Sequence, residues 1–223
     1  MATNNKDSKG GICMMKALIL DMDGTLFQTN LILEQALEGA FDVLRKNKLW
    51  DGDTPIETYR EIMGVPLPVV WETLCPSHSF EIREKSNTIF HEKLIELIKN
   101  KRGSLYPDVE FVLEKLGADH ELYIASNGQI EYLQAIVDTY SLDRFIKKVY
   151  SIQSIPSGQK SDLVKMLISE NKITTGSIIG DRLSDIMAAK ENGLTAIGVN
   201  FDFAQMEELT QADKVIDHFI ELL

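Results

Sequence analysis

The sequence predicts an α/β fold: a parallel sheet covered by helices on both faces, three layers in all, with a block of helices inserted behind the first strand. Three observations predict it. Short apolar runs, most of them ending in small or acidic polar residues, alternate with segments of helical period. That alternation fails once, between Phe27 and Leu105, where one helical pattern follows another and no strand pattern intervenes. The composition is that of an ordinary globular chain, with 223 residues, 44% hydrophobic and 26% charged, long enough to bury a core without metal or disulfide staples.

Residues 1–15 are polar and Gly-rich and read as a disordered lead-in; no apolar stretch follows a basic one, so no signal peptide is expected. Residues 16–20, Lys-Ala-Leu-Ile-Leu, form a continuous apolar run, the mark of a strand buried on both faces. The insertion spans 28–105. Asn30 is placed to cap a helix carrying Leu33, Leu37, Phe41 and Leu44. Shorter helices follow over 55–63 and 67–74, and a long one over 79–99. Trp50 and Trp71 are expected to pack inside this block, and His91 either packs the long helix or faces a ligand.

The alternation then resumes. Pro107 opens a helix over 107–116 at its first position, with Val109, Val112, Leu113 and Leu116 on one stripe. A strand over 121–126 ends in Ser126-Asn127-Gly128 and leads into a helix over 130–140. A strand over 148–151 and a Pro/Gly loop lead to Lys160 and an amphipathic helix over 161–168. A strand over 177–180 ends in Gly180-Asp181, and its helix, 183–192, closes at Gly193. The last strands are 195–199 and a weaker one at 215–216. The core is therefore 16–27 plus 106–223, with the first strand central and the second and fourth beside it.

Charge and cysteine content narrow the function. A net charge of −11 repels phosphate backbones and anionic lipid, so neither nucleic acid nor membrane is an expected partner. Two cysteines, Cys13 and Cys75, supply neither a disulfide framework nor a four-ligand zinc site, and fit a cytoplasmic protein. Apolar runs are too short to cross a bilayer.

Polar residues gather where parallel sheets bind ligands, just past the carboxyl ends of strands: Asp21, Asp23, Gly24 and Thr25; Ser126 and Asn127; Asp181, Arg182 and Asp185. Carboxylates converging there repel one another unless a hard divalent cation joins them, and Mg²⁺ suits a small carboxylate set that also holds phosphate. A serine, a lysine and loop N–H groups beside it suit the phosphoryl oxygens. An EF-hand reading of Asp21-x-Asp23-Gly24 fails at loop position twelve, which is Ile32. Asp181 and Asp185 taken alone read as helix N-terminal acids, and Lys160 alone as a surface lysine with Lys147 and Lys148 as competitors; the ensemble favours the site.

Asp21-Met22-Asp23-Gly24-Thr25-Leu26, Ser126-Asn127, Lys160 and Gly180-Asp181-x-x-x-Asp185 resemble, in that order, the four motifs of the haloacid dehalogenase superfamily. Ser161 stands where many relatives have proline. The resemblance implies a Rossmann-like core with a small α-helical cap, and Gly64-Val65-Pro66 is similar to the cap loop of its phosphoglycolate-phosphatase-like members. It implies Asp21 as the nucleophile on phosphorus and Asp23 as general acid and base. Mg²⁺ would lie on Asp21, the Asp23 carbonyl and Asp181. Thr25 and Asn127 would orient nucleophile and substrate, Ser126 and Lys160 would bind phosphoryl oxygens, and Asp185 would support the metal side. The implied activity is hydrolysis of a small phosphorylated metabolite. A mutase of the β-phosphoglucomutase type and a non-catalytic phosphate binder share the same core residues; a metal-free dehalogenase lacks the second aspartate, and a phosphonatase requires a cap lysine.

Overall fold

A computed structural model of the chain describes residues 16–65 and 67–223; the lead-in over 1–15, including Cys13, and Pro66 of the Gly64-Val65-Pro66 loop lie outside them. The elements run β1 (Lys16–Leu20), α1 (Asn30–Lys46), α2 (Ile56–Glu61), α3 (Leu67–Leu74), α4 (Phe80–Lys99), α5 (Val109–Leu116), β2 (His120–Ser126), α6 (Ile130–Tyr140), β3 (Ile146–Ser151), α7 (Lys160–Asn171), β4 (Gly176–Gly180), α8 (Leu183–Glu191), β5 (Thr195–Val199), α9 (Met206–Leu209) and β6 (Lys214–Ile216). Among the described residues six strands form one sheet in the order β3-β2-β1-β4-β5-β6, every pair parallel. β1 lies between β2 and β4, with Leu20 opposite Ile124 on one side and Ile179 on the other, so the carboxyl ends of all three strands meet.

Side chains alternate across a strand, and β1 shows what this does to the core. Leu18 and Leu20 point into one apolar cluster, with Val112 and Leu113 of α5 and Leu133 and Ile136 of α6. Ala17 and Ile19 point into the other, with Leu163 and Leu167 of α7 and Ile186 and Ala189 of α8. Both faces of β1 are thereby dry, as its unbroken apolar run requires.

The first cluster does not stop at the sheet. It continues into the insertion through Leu33, Leu37 and Phe41 of α1, Trp71 of α3 and Phe90 of α4. α4 packs on α1 and also against α6. The insertion leaves and re-enters the core at one place. Phe27 pairs with Leu105 in an antiparallel bridge, Gln28 N donates to Ser104 O at 2.9 Å, and Tyr140 of α6 donates to Gly103 O at 2.6 Å. Gly103 is required there: a Cβ at 103 would lie 2.3 Å from Phe27 Cζ. Cys75 is a buried free thiol. No helix among the described residues is long and apolar enough to cross a membrane.

Several element boundaries differ from expectation for local reasons. Pro107 does not begin a helix: Asp108, at φ 63°, takes a left-handed conformation, and α5 starts at Val109. Asn30 is not the cap of α1 but its first residue, and its Oδ1 accepts from Arg60 Nε at 3.1 Å. Thr29 holds the cap position. β2, β3, β4 and β6 begin one or two residues earlier than their apolar runs, and α7 extends from Lys160 to Asn171.

Candidate active site

The loop after β1 is built to turn back on itself. Leu26 N and Phe27 N both donate to Met22 O at 2.9 Å, and Gly24 N donates to Phe27 O. Gly24 sits at φ +72°, where a side chain is strained, and its missing Cβ would stand 2.4 Å from Asp181 Oδ2. This close approach brings the ends of β1 and β4 together. Asp21 is fixed at the strand end by its own N–H, which donates to Ile179 O at 2.9 Å.

Asp21, Asp181 and Asp185 converge, each offering one carboxylate oxygen within 4.8 Å of the others, and all three are buried. Lys160, at the start of α7, reaches into the cluster: its Nζ lies 2.6 Å from Asp21 Oδ1 and 2.5 Å from Asp185 Oδ1. Burial works against the Lys160 ammonium, but Asp185 and Asp21 outweigh it and hold its pKa above the ordinary lysine value. Lys147 and Lys148 pair instead with Glu121 and Glu170 at the surface, which settles which lysine reaches the cluster. Asp181 is pushed well above the usual carboxylate range, first by burial and then by Asp21 and Asp185. Asp185 is pushed in the same direction by burial, opposed by Lys160. With one ammonium among three buried carboxylates, the donor set is short of positive charge and all oxygen. That is the chemistry of a site for a hard divalent cation, and Mg²⁺ fits it.

Asp23 faces elsewhere. Its carboxylate accepts from the Thr29 hydroxyl and, at 2.5 Å, from Tyr132 Oη on α6. Burial, with Asp21 nearby, pushes its carboxyl up to about 6, against the pull of the two hydroxyls. Ser126 is buried at the end of β2, and its Oγ accepts from Gly128 N at 3.0 Å. Asn127 reaches across to the insertion, where its Nδ2 donates to Gly64 O at 2.7 Å. Thr25, expected against the substrate, is fully buried behind the cluster and donates to Asp181 Oδ1 at 3.3 Å; its short side chain orients a carboxylate and does not line the cavity.

The cavity in front of these groups measures about 60 Å³. Asp21, Asp23, Ser126, Asn127, Lys160, Asp181 and Asp185 line its floor, while Tyr59, Met63, Phe90, His91 and Leu94 of the insertion form an apolar roof. Tyr132, Thr29 and Arg182 also line it, and the sequence assigns none of these three a role. His91 is buried, packs edge-on against Phe90 and Tyr132, and still reaches the cavity, so packing and facing the site are the same position.

The sequence model of one family, described as haloacid dehalogenase-like hydrolase, matches residues 18–199. A 5'-nucleotidase of Pseudomonas aeruginosa is 22% identical over 200 residues, which cover 86% of this chain and 86% of that protein. A phosphoglycolate phosphatase of Vibrio vulnificus is 22% identical over 222 residues, covering 94% and 95%. The crystal structure of CbbY from Rhodobacter sphaeroides in complex with phosphate shares the fold, with a TM-score of 0.79 at 18% identity over 94% of this chain and 96% of that one.

Proposed function

The chain belongs to the haloacid dehalogenase-like hydrolases as a phosphatase, and from that premise we propose that it hydrolyses a small phosphate monoester through an aspartyl-phosphate on Asp21, with Mg²⁺ as cofactor. The observation that carries the reading is the different setting of the two carboxylates in one loop. Asp21 lies on the Lys160–Asp181–Asp185 cluster, whereas Asp23 is turned to two hydroxyls. Two carboxylates in two environments can take two roles.

In this mechanism Asp21 attacks phosphorus and the leaving oxygen takes a proton from Asp23. Asp23 then removes a proton from the water that cleaves the acyl phosphate. A carboxyl pushed up to about 6 is suited to moving a proton in both directions near neutral pH. Thr29 and Tyr132 fix its orientation. Lys160 and Ser126 hold phosphoryl oxygens, and Lys160 also keeps Asp21 in place. Asp21, Asp181 and the Asp23 carbonyl would hold Mg²⁺, with Asp185 behind them, and the ion would neutralise charge on the phosphoryl group. The insertion, 28–105, acts as a cap that selects the leaving group. The cavity is small, which suits a phosphoryl group on a short carbon chain.

The test uses p-nitrophenyl phosphate, whose leaving group needs little acid catalysis. Turnover is expected with Mg²⁺ and not with excess EDTA. Asp23→Asn is expected to give a burst approaching one p-nitrophenolate per site, then slow turnover, with the phosphoryl group detected by mass on the peptide holding Asp21. Asp21→Asn is expected to show neither. Full activity in EDTA, or wild-type turnover by Asp23→Asn, would overturn the assignment.

A further inference from the structure

Arg182 has a guanidinium that the fold leaves incomplete. Its Nε donates to Glu208 Oε2 at 3.0 Å and its Nη2 to Glu208 Oε1 at 3.3 Å. Its Nη1 is buried with no hydrogen-bond partner among the described residues. A charged donor in that state carries an uncompensated desolvation penalty, so its retention calls for an acceptor. Arg182 lines the same cavity as Asp21 and follows Asp181 directly, but it lies on the side facing the insertion. There Gly64, at φ +91°, lets the insertion backbone come close to the guanidinium: a Cβ at 64 would lie 3.1 Å from Arg182 Cγ and 3.6 Å from Nη1. Asn127, whose Nδ2 donates to Gly64 O, has its Oδ1 buried without a donor among the described residues at the same junction. The seam between insertion and core thus holds a donor and an acceptor that no described protein group satisfies.

We propose that Arg182 determines specificity by binding a carboxylate on the substrate, at the end remote from the scissile phosphate. This rests on the phosphatase reading above, which places the phosphoryl group on Asp21, Ser126 and Lys160. Glu208 already neutralises most of the guanidinium and occupies two of its donors, so the remaining edge matches a singly charged acceptor and not a second phosphate dianion. The small cavity keeps phosphate and carboxylate close, so the class is a short-chain acid phosphorylated on a hydroxyl.

Two probes differ only at that group: 2-phosphoglycolate and 2-hydroxyethyl phosphate. The wild-type enzyme with Mg²⁺ is expected to favour 2-phosphoglycolate in kcat/KM by about tenfold to a hundredfold, the range of one charge-assisted hydrogen bond. Arg182→Gln is expected to abolish that preference through KM, and Arg182→Lys to restore part of it. Arg182→Gln leaves Glu208 without its cation, so the Arg182→Gln/Glu208→Gln double variant, which removes both charges, guards against misfolding and is expected to lose the preference equally. A wild-type enzyme that turns over both probes without preference, or an Arg182→Gln enzyme that loses equally on both, overturns the proposal and leaves the phosphatase reading standing. No turnover of either probe or of p-nitrophenyl phosphate overturns both.

Discussion

Lys160 is the residue on which the carboxylate cluster balances. Its buried ammonium touches two of three converging carboxylates, and removing one partner of such a set leaves charge uncompensated. Lys160→Met should therefore lower stability in EDTA by about 3–5 kcal/mol. The same change should lower kcat by roughly 10²–10³-fold, the usual effect of deleting one donor to a developing anion. Urea unfolding and steady-state kinetics check the two figures. His91 gives a pH prediction of definite sign. Burial holds its pKa below the ordinary 6.5, against Asn87 O and the charge of Glu131. The unfolded chain takes the proton first, so His91 supports the fold above pH 6.5 and loses that support as pH falls below it. Asp23, Asp181 and Asp185, pushed upward, act in the opposite sense, so the comparison must be with His91→Gln. Between pH 7.5 and 5.5 wild type should lose up to about 1.4 kcal/mol relative to that variant. The residues of the cluster were legible because their motifs lie at strand ends and in the first turns of the helices α7 and α8. Tyr132 was not, since it meets Asp23 across 109 residues of sequence, a contact that exists only once α6 has packed over the sheet.

Among the elements, α3 and α4 show how an insertion without strands is held in register. Trp71 Nε1 donates to Asn87 Oδ1 at 2.8 Å in a buried contact between the two helices. Trp71→Phe would keep most of the apolar contact and strand the Asn87 carbonyl. Thermal unfolding should show a loss of about 1–3 kcal/mol, partly recovered when Asn87 is also changed to Leu. The type and order of elements could be read from sequence because β1, β4 and β5 are apolar on both faces and α1, α5 and α6 carry a clear stripe. Their starts were harder. β3 lies at the sheet edge, where Lys147 and Lys148 follow Ile146 and pair with surface acids, so the polar half of the strand hides its beginning. The start of α5 turned on one backbone angle at Asp108, which no apolar pattern encodes.

For the molecule as a whole, the shared apolar cluster has a consequence for cooperativity. Leu20 and Ile124 of the sheet belong to the same cluster as Phe41 and Trp71 of the insertion, so neither part can unfold without exposing surface of the other. Both tryptophans, Trp50 and Trp71, lie in the insertion, so their fluorescence reports that part, while far-UV circular dichroism reports the whole chain. The two probes should give coincident urea transitions. Separate midpoints would show that the insertion opens by itself. The short antiparallel bridge at Phe27 and Leu105, flanked by the Gln28–Ser104 and Tyr106–Leu26 hydrogen bonds, bears on what kind of opening is available. As a mechanical part, a two-stranded ribbon is stiff to stretching and shear and compliant to bending across its flat face. A swing of the four helices about the line through residues 27–28 and 104–105 would widen the entrance only by parting α4 from α6 and breaking the Asn127–Gly64 hydrogen bond, so the width of the entrance is tied to those two contacts.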